Sequence, residues 1–308
     1  MSAALATIAD RIAPIGLQEL NARAALQTRV DSKYVLDLDR FDALVGMLVE
    51  ELQILQIDGA QEQTYDTMYF DTVGLGCFRD HLQRRRQTYK LRTRVYVGSG
   101  LHVFEVKMRD GRGHTVKVKI DHRDCHPHVI GPAATAFYRE SIRDWYGFDV
   151  PDAFVPSLRN QYDRITWVSR TGAERTTIDH SLRFLDPTSG EIAGRMGTDL
   201  VLIETKSATG SGDVDRALWQ LGVRPRRVSK YCIGVGLLHP PLQPNRYLRA
   251  LATAFAAERA VTTTPLDGPR PGPPGAPAPP VSVESLPRRP RPAHAQRPPR
   301  PRRALRVG

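Results

Sequence analysis

Residues 89–97 read YKLRTRVYV, and the alternation within this stretch decides how the rest of the chain can fold. Lys90, Arg92 and Arg94 occupy every second position, with apolar or small side chains between them. Consecutive side chains of a β-strand point to opposite faces, so the three cations share one face. Cations on the same face of a strand repel each other, and a buried cation needs a partner that compensates its charge. The stretch therefore predicts a strand whose charged face contacts either water or an anion.

The same kind of alternation recurs in seven other stretches, so that eight strands are predicted in all. The other seven lie at 29–36, 63–71, 101–108, 114–120, 157–168, 174–182 and 199–206. Turn signals such as GSG at 98–100 separate several of them, which is typical of antiparallel hairpins. Helical spacing predicts helices at about 37–56, 75–86 and 132–146, and two more after the last strand. The pattern favours a β-dominated α+β fold built as a meander or barrel.

The recurring charged face is compatible with two architectures. The charged faces could lie outside, in solvent, or they could line the interior of a closed sheet whose apolar faces pack beneath helices. The alternation alone leaves both open. In the closed form, converging cations require an anion, and phosphate chains suit both arginine and lysine. The carboxylates among the cations could then hold a hard divalent cation, with Glu204 first and Glu105 and Asp179 as further candidates.

The positive charge of the chain is concentrated at its C-terminus. The 308 residues carry a formal charge of +11, and residues 262–308 hold nine arginines against Asp267 and Glu284. Residues 1–261 therefore carry only a small positive charge, which argues against a general nucleic-acid surface. Residues 262–308 also hold 14 of the 24 prolines. This composition predicts a disordered Pro/Arg-rich tail, and leaves open whether the tail is only solvated or also makes weak contacts with anions.

Cysteine usage and hydropathy indicate the cellular compartment of the protein. Cys77, Cys125 and Cys232 form no disulfide framework, which fits a reducing compartment. No secretory signal is visible, and no stretch approaches the ~20 apolar residues that span a bilayer. We therefore expect a cytoplasmic protein without a transmembrane segment. The DHRDCHPH stretch (121–128) matches no common zinc spacing and is interpreted as a loop.

Taken in order and spacing, the motifs resemble the VTC (vacuolar transporter chaperone) domain, a polyphosphate polymerase domain of the triphosphate tunnel metalloenzyme (CYTH-like) superfamily. The resemblance covers residues 27–240. It rests on RVDSKYVL (29–36), YFDT (69–72), KLRTRVY (90–96), FEVK (104–107), VKVK (116–119), NQYDR (160–164), RTTID (175–179), IETK (203–206) and SKY (229–231). It implies an eight-stranded antiparallel closed tunnel barrel with packing helices. The implied ligands are ATP or another nucleoside triphosphate, inorganic polyphosphate, and Mn²⁺ or Mg²⁺.

The resemblance also implies roles for individual residues. The positions that match basic phosphate ligands are Lys33, Lys90, Arg92, Arg94, Lys107, Lys117, Arg164, Arg175 and Lys230. Glu204 matches the metal-binding glutamate, and Tyr162 matches an aromatic position of the tunnel wall. Alternation alone adds Lys119 and Lys206 as substrate-binding residues. The domains expected are a helical lead-in (1–26), the tunnel domain (27–240), a short helical extension (241–261) and the tail (262–308).

The implied function is transfer of the γ-phosphate of ATP to a growing polyphosphate chain. The wider superfamily begins with Glu-x-Glu-x-Lys, whereas this chain has Arg29, Asp31 and Lys33 at those positions. That departure favours the polymerase branch over the hydrolase and cyclase branches. Two alternatives stay open: a metal-dependent hydrolase of triphosphate or polyphosphate, and a non-catalytic polyphosphate-binding module.

Overall fold

β-Strands dominate the computed structural model, which describes residues 3–23, 30–111, 115–151, 153–172, 174–242 and 247–257. The strands are β1 (Ala13–Gly16), β2 (Val30–Asp37), β3 (Leu52–Gln56), β4 (Glu62–Asp71), β5 (Thr88–Tyr96), β6 (Leu101–Arg109), β7 (Thr115–Asp121), β8 (Val155–Ser169), β9 (Glu174–Leu185), β10 (Ile192–Met196), β11 (Leu200–Ser207) and β12 (Phe255–Ala257). The helices are α1 (Ala3–Ala9), α2 (Leu17–Arg23), α3 (Leu38–Leu48), α4 (Gly76–Leu82), α5 (Pro132–Tyr146), α6 (Asp213–Gln220), α7 (Lys230–Leu238) and α8 (Leu248–Ala254). Within the described part of the chain, no helix is long and apolar enough to cross a membrane.

These elements belong to one unit of the chain, Met1–Thr263. The second unit, Thr264–Gly308, and the predicted tail at 262–308 lie outside the described residues. The predicted lead-in contains β1 as well as α1 and α2. The predicted extension contains α8 and β12 in its described part.

Eight of the strands form one continuous antiparallel path, in the order β2–β11–β9–β8–β4–β5–β6–β7. They correspond to the eight strands that the alternation predicts. Four short strands enlarge the sheet to twelve: β10 and β12 continue from β9, and β3 and β1 continue from β8. β8 and β9 are long, so one part of each strand pairs with one neighbour and another part pairs with a second neighbour on the same edge.

The predicted closed barrel of eight strands is not confirmed, since the sheet has twelve strands and is open. Within the described residues, no backbone ladder joins β2 and β7, the two ends of the eight-stranded path. One face of β7 is exposed along its whole length, as expected for an edge strand. The two ends nevertheless approach each other. Lys107 on β6 lies close enough to Lys33 on β2 and to Glu204 on β11 for their charges to act on its pKa.

The helix predicted at 37–56 is wrong in its second half. α3 begins after Asp37, whose carboxylate accepts a hydrogen bond from the Arg40 backbone N–H at 2.9 Å, and it ends at Leu48. The following residues form β3, which pairs with the end of β8. Leu52 and Ile54 are buried there. Leu52 also fits helical spacing, so spacing alone predicts a helix here. The segment forms a strand instead because it pairs with β8, and sequence spacing does not show this pairing.

The outer face of the sheet is apolar and is covered by helices. One buried cluster joins α3 and α6 to Trp167 and Ile178 of the sheet. Another joins α5 to Phe104 and Val106. α5 has a proline in its first turn and ends at Gly147, whose φ of 76° suits glycine. The helices therefore bury one face of the sheet, and the opposite, inner face is left for the charged side chains.

α7 packs against the inner face. Its buried residues form a cluster with Leu158 of β8 and Phe184 of β9. Gly234 permits this approach, because a Cβ atom built there would lie 2.4 Å from the Leu158 Cδ2 atom and 2.7 Å from the Phe184 Cδ1 atom. α7 therefore fills the apolar part of the inner face and brings its N-terminus towards the charged part.

We expect Gly234→Ala to lower the free energy of unfolding by about 1–3 kcal/mol, because the added methyl group overpacks the contact between α7 and the sheet. Urea unfolding of the variant measures this. Gly98→Ala is the matched control, since nothing lies within 4 Å of a Cβ atom there. The control should stay within about 0.5 kcal/mol of wild type. Equal unfolding midpoints for the two variants would contradict the tight packing of α7.

Candidate functional site

The inner face of the eight-stranded path carries a continuous set of charged side chains, termed the cationic face. Cross-strand partners point to the same side of a sheet, so the register connects these side chains from strand to strand. The set consists of Lys33, Lys90, Arg92, Arg94, Lys107, Lys117, Lys119, Arg164, Arg175 and Lys206, with the carboxylates of Asp31, Glu105, Asp179 and Glu204. Lys230 joins them from the first residue of α7. The structure thus brings the predicted basic residues together on one face, whereas Arg29 lies outside the described residues.

The cationic face is largely shielded from solvent in its central part and is exposed towards the β6–β7 edge. The side chains of Arg92, Arg164 and Lys230 are at most 19% exposed, and Arg94 is buried. Lys107 on β6 and both Lys117 and Lys119 on the edge strand β7 are exposed. Alternation is compatible with two architectures. The structure has the one in which the charged side chains point inward, but its sheet is not closed.

Glu105 is the counter-charge for one half of the cationic face. Its Oε2 atom lies 2.5 Å from Nε of Arg92 and 3.9 Å from Nη1 of Arg94, and its Oε1 atom lies 3.0 Å from Nζ of Lys117. Burial would raise the pKa of Glu105, but these three cations hold it well below its ordinary value. The carboxylate therefore stays ionised and is fully engaged by protein cations.

Asp179 has the same role in the other half. Its two oxygen atoms accept hydrogen bonds from Nε of Arg164 at 2.5 Å and from Nη2 at 2.9 Å. Lys230 bonds to the same carboxylate and so connects α7 to β9. Burial would raise the pKa of Asp179, but Arg164 and Lys230 lower it well below its ordinary value.

Two stacked tyrosines orient the cations between these halves. The rings of Tyr65 and Tyr162 are parallel, with centroids 5.2 Å apart. The guanidinium carbon of Arg164 lies 5.1 Å from the Tyr65 centroid and 5.2 Å from that of Tyr162, and the guanidinium carbon of Arg94 lies 5.2 Å from the Tyr65 centroid. Such contacts hold a guanidinium group in place without neutralising it. The sequence predicts Tyr162 as a wall residue but misses Tyr65, although Tyr65 and Tyr69 alternate along β4.

Glu204 is the most accessible of the three candidate carboxylates. Its side chain is 18% exposed, whereas those of Glu105 and Asp179 are 1% exposed. Its Oε1 atom lies 3.4 Å from Nζ of Lys33 and 3.3 Å from Nζ of Lys206. Burial would raise the pKa of Glu204, and the lysines lower it well below its ordinary value. A single accessible carboxylate fits Mg²⁺ or Mn²⁺ where phosphate oxygens supply further ligands.

Lys107 is the lysine whose charge is most sensitive to pH. Its pKa is lowered to about 8, chiefly by removal from water and also by the charges of Lys33 and Lys90, while the charge of Glu204 opposes the shift. The residue is nevertheless exposed, so solvent and ligands can reach its side chain. Lys107 is therefore partly neutral in mildly alkaline solution, unlike an ordinary surface lysine.

We expect the affinity for tripolyphosphate to fall as the pH rises from about 7 to about 9, because an anion binds better to the protonated form of Lys107. The affinity depends on this charge below the pKa of about 8 and loses that contribution above it. Titration calorimetry at the two pH values measures the change. Lys107→Arg remains charged over this range, so its affinity should vary less. An equal decrease in the variant and in wild type would contradict the role of Lys107.

Two further inner-face residues are missed by the sequence reasoning. Asp71, in YFDT, accepts hydrogen bonds from the backbone N–H groups of Cys77 at 2.8 Å and Phe78 at 2.9 Å, and from the Tyr231 hydroxyl. It therefore fixes α4 and α7 to the end of β4. Asn160, in NQYDR, is fully buried, and its amide atoms make no hydrogen bond within the described structure. Its position two residues before Tyr162 places it on the same face, which period-two alternation could have indicated.

A family model described as VTC domain matches residues 28–239, and no curated protein matches the chain. Solved structures with similarity include HpAC1 from Hippeastrum (16% identity, 67% of this chain and 95% of that chain, TM-score 0.41). They also include a candidate adenylate cyclase from Bacillus halodurans (13%, 66% and 94%, TM-score 0.41) and the PH1012 protein from Pyrococcus horikoshii (10%, 67% and 99%, TM-score 0.37). A dominant triphosphatase activity is described for HpAC1. At these TM-scores the likeness assigns no activity to this chain.

Proposed function

Because the chain belongs to the VTC domain family, we propose that it is a metal-dependent phosphotransferase that extends inorganic polyphosphate with ATP as the phosphoryl donor. The excess of cations on the cationic face carries this proposal. Ten cations of the sheet and Lys230 converge there with four carboxylates. Such an excess in a shielded space favours a polyanion, since enclosed positive charges otherwise repel each other. Phosphate chains match both the forked donors of arginine and the compact charge of lysine.

In the proposed reaction, a terminal phosphate oxygen of polyphosphate attacks the γ-phosphorus of ATP. A P–O bond to the chain forms, the bond to the β-phosphate oxygen breaks, and ADP leaves. Arg92, Arg94 and Arg164 hold phosphate oxygens in line for this displacement and offset their charge. The reaction requires positioning and charge neutralisation rather than a covalent intermediate on the protein.

Glu204 is the proposed metal ligand of the cationic face. Its carboxylate is accessible, whereas Glu105 and Asp179 are enclosed by cations and act as counter-charges. Glu204 would hold Mn²⁺ or Mg²⁺, and the ion would supply positive charge that offsets the negative charge developing during transfer. Phosphate oxygens would complete the ligand set that the protein begins.

Incubation of the full-length protein with ATP and Mn²⁺ or Mg²⁺ tests the proposal. We expect ADP and a lengthening polyphosphate, resolved by gel electrophoresis, and strongly reduced synthesis in Arg92→Gln. Arg143→Gln is the matched control, because Arg143 lies on the exposed side of α5 and pairs there with Asp149. Free phosphate as the sole product would overturn the proposal in favour of a hydrolase. Tight polyphosphate binding without turnover would overturn it in favour of a binding module.

A further inference from the structure

A second cluster of metal-binding residue types lies on the opposite side of the sheet from the cationic face. Glu62, Asp163 and His180 each offer one ligand atom, and these atoms lie within 4.8 Å of one another. Asp163 of β8 is the cross-strand partner of His180 of β9. Its sequence neighbours Tyr162 and Arg164 face the inner side, so Asp163 points outward. The cluster therefore shares no residue with the proposed ligand sphere of Glu204.

The imidazole of His180 is buried, and its Nε2 atom faces the carboxylate of Glu62. The residue is 3% exposed, and its Nδ1 atom lies 3.0 Å from the Ser181 hydroxyl oxygen, which fixes the ring. Its Nε2 atom lies 2.7 Å from Oε2 of Glu62, at ion-pair distance, and makes no hydrogen bond within the described residues. Buried polar atoms are normally hydrogen-bonded. A metal ion between the imidazole and the carboxylates would satisfy this nitrogen, with Ser181 as the outer partner that ligating histidines usually have.

The backbone of β9 is distorted where it presents His180. The pairing of β8 with β9 passes from Gln161–Arg183 to Asp163–His180, which inserts an extra residue in β9. Ser181 at this bulge has a φ of 52°, a left-handed conformation that is uncommon for residues other than glycine. Bulges redirect side chains, and residues in sparsely populated conformations cluster at functional sites.

The carboxylate of Asp163 is also oriented by a neighbour. The Thr64 hydroxyl donates a hydrogen bond to its Oδ1 atom at 2.7 Å. Thr64 is the cross-strand partner of Asp163, so β4 and β8 together position this group. Thr64 thus holds the Asp163 carboxylate in place, and a carboxylate has two oxygen atoms that can accept further partners.

We propose that Glu62, Asp163 and His180 form a zinc-type transition-metal site that ties β4, β8 and β9 together on the outer face. One imidazole and two carboxylates are established zinc ligands, and water can take the fourth position of a tetrahedral site. The imidazole disfavours Mg²⁺, and the general order of affinities places Zn²⁺ above Mn²⁺. The three strands also carry Tyr65, Arg164 and Asp179 on their inner side. The ion would therefore stabilise the strands that position this part of the cationic face.

Metal titration of the full-length, chelator-treated protein tests this site. We expect one equivalent of Zn²⁺ to bind to wild type and to Glu204→Gln, and the melting temperature to rise on binding. Asp163→Asn and His180→Asn should each weaken Zn²⁺ binding by at least about tenfold, the lower end of the loss seen even for outer-shell partners. Asp163 is partly exposed, so its variant tests the site even if His180→Asn fails to fold.

His126→Asn is the control, because His126 lies exposed in the DHRDCHPH loop, where the described residues form no group of three ligands. It should bind Zn²⁺ as wild type does. The proposal is overturned if wild type binds no Zn²⁺, or if Asp163→Asn binds it as tightly as wild type. Loss of binding in His126→Asn alone would move the ion to that loop and would also overturn the proposal.

Discussion

Replacement of Glu204 by glutamine is expected to lower ATP-dependent polyphosphate synthesis by at least about 100-fold. Glutamine keeps the shape of the side chain but removes the charge that would attract the metal ion. Metal ions contribute several kcal/mol to charge stabilisation in such reactions, and each 1.4 kcal/mol corresponds to about tenfold in rate. The initial rate of polymer formation at saturating ATP and Mn²⁺ measures the effect.

Binding without metal distinguishes a lost metal ligand from a damaged fold. The Glu204 carboxylate lies between Lys33 and Lys206, so its neutralisation leaves the site more positive. Metal-free tripolyphosphate should therefore bind to Glu204→Gln at least as tightly as to wild type. Glu140→Gln, on the exposed side of α5, makes the same chemical change away from the site and should keep full activity. Undiminished synthesis by Glu204→Gln would refute the metal assignment.

Replacement of Asp179 by asparagine is expected to lower the free energy of unfolding by about 3–5 kcal/mol, as is typical when one member of a buried ion pair is removed. The variant leaves Arg164 and Lys230 shielded and without their carboxylate, which is 1% exposed in wild type. Urea unfolding at neutral pH measures the loss. Added tripolyphosphate should restore more stability to the variant than to wild type, since the anion can replace the missing charge.

The effect of this substitution should also depend on pH. The pKa of Asp179 is lowered in the folded protein, so its charge stabilises the fold fully above the unfolded pKa of about 4 and loses this effect as the pH falls through the folded pKa. The difference between wild type and variant should therefore shrink in acid. Asp149→Asn breaks an exposed pair with Arg143 and should cost no more than about 1 kcal/mol. Similar losses in both variants would contradict the enclosed position of Asp179.

Period-two alternation predicts the eight strands of the continuous path and which of their side chains share a face. Lys90, Arg92 and Arg94 alternate in one strand, and every neighbour in the eight-stranded path continues the same face. Alternation does not predict whether the sheet closes, because closure depends on backbone pairing between β2 and β7. Short strands such as β3 are missed for a similar reason, since long-range pairing overrides local spacing.

The partners of the charged groups are also beyond sequence reasoning. The sequence offers Glu204 as the first candidate metal ligand and Glu105 and Asp179 as further ones, but it does not show how their exposure and cation partners differ. The apolar stretch KYCIGVGLL is typical of a helix enclosed on all sides, but it does not predict where α7 packs. Its contact with the inner face brings Lys230 to the cationic face.

The most direct test of the cationic face is the location of bound tripolyphosphate in a crystal structure of the full-length protein. We predict that phosphate oxygens lie within hydrogen-bond distance of Arg92, Arg94 and Arg164. The bound tripolyphosphate should run along the inner face towards Lys107. Binding of the anion only at Lys119 or at other exposed cations, with solvent between the three arginines, would contradict this account.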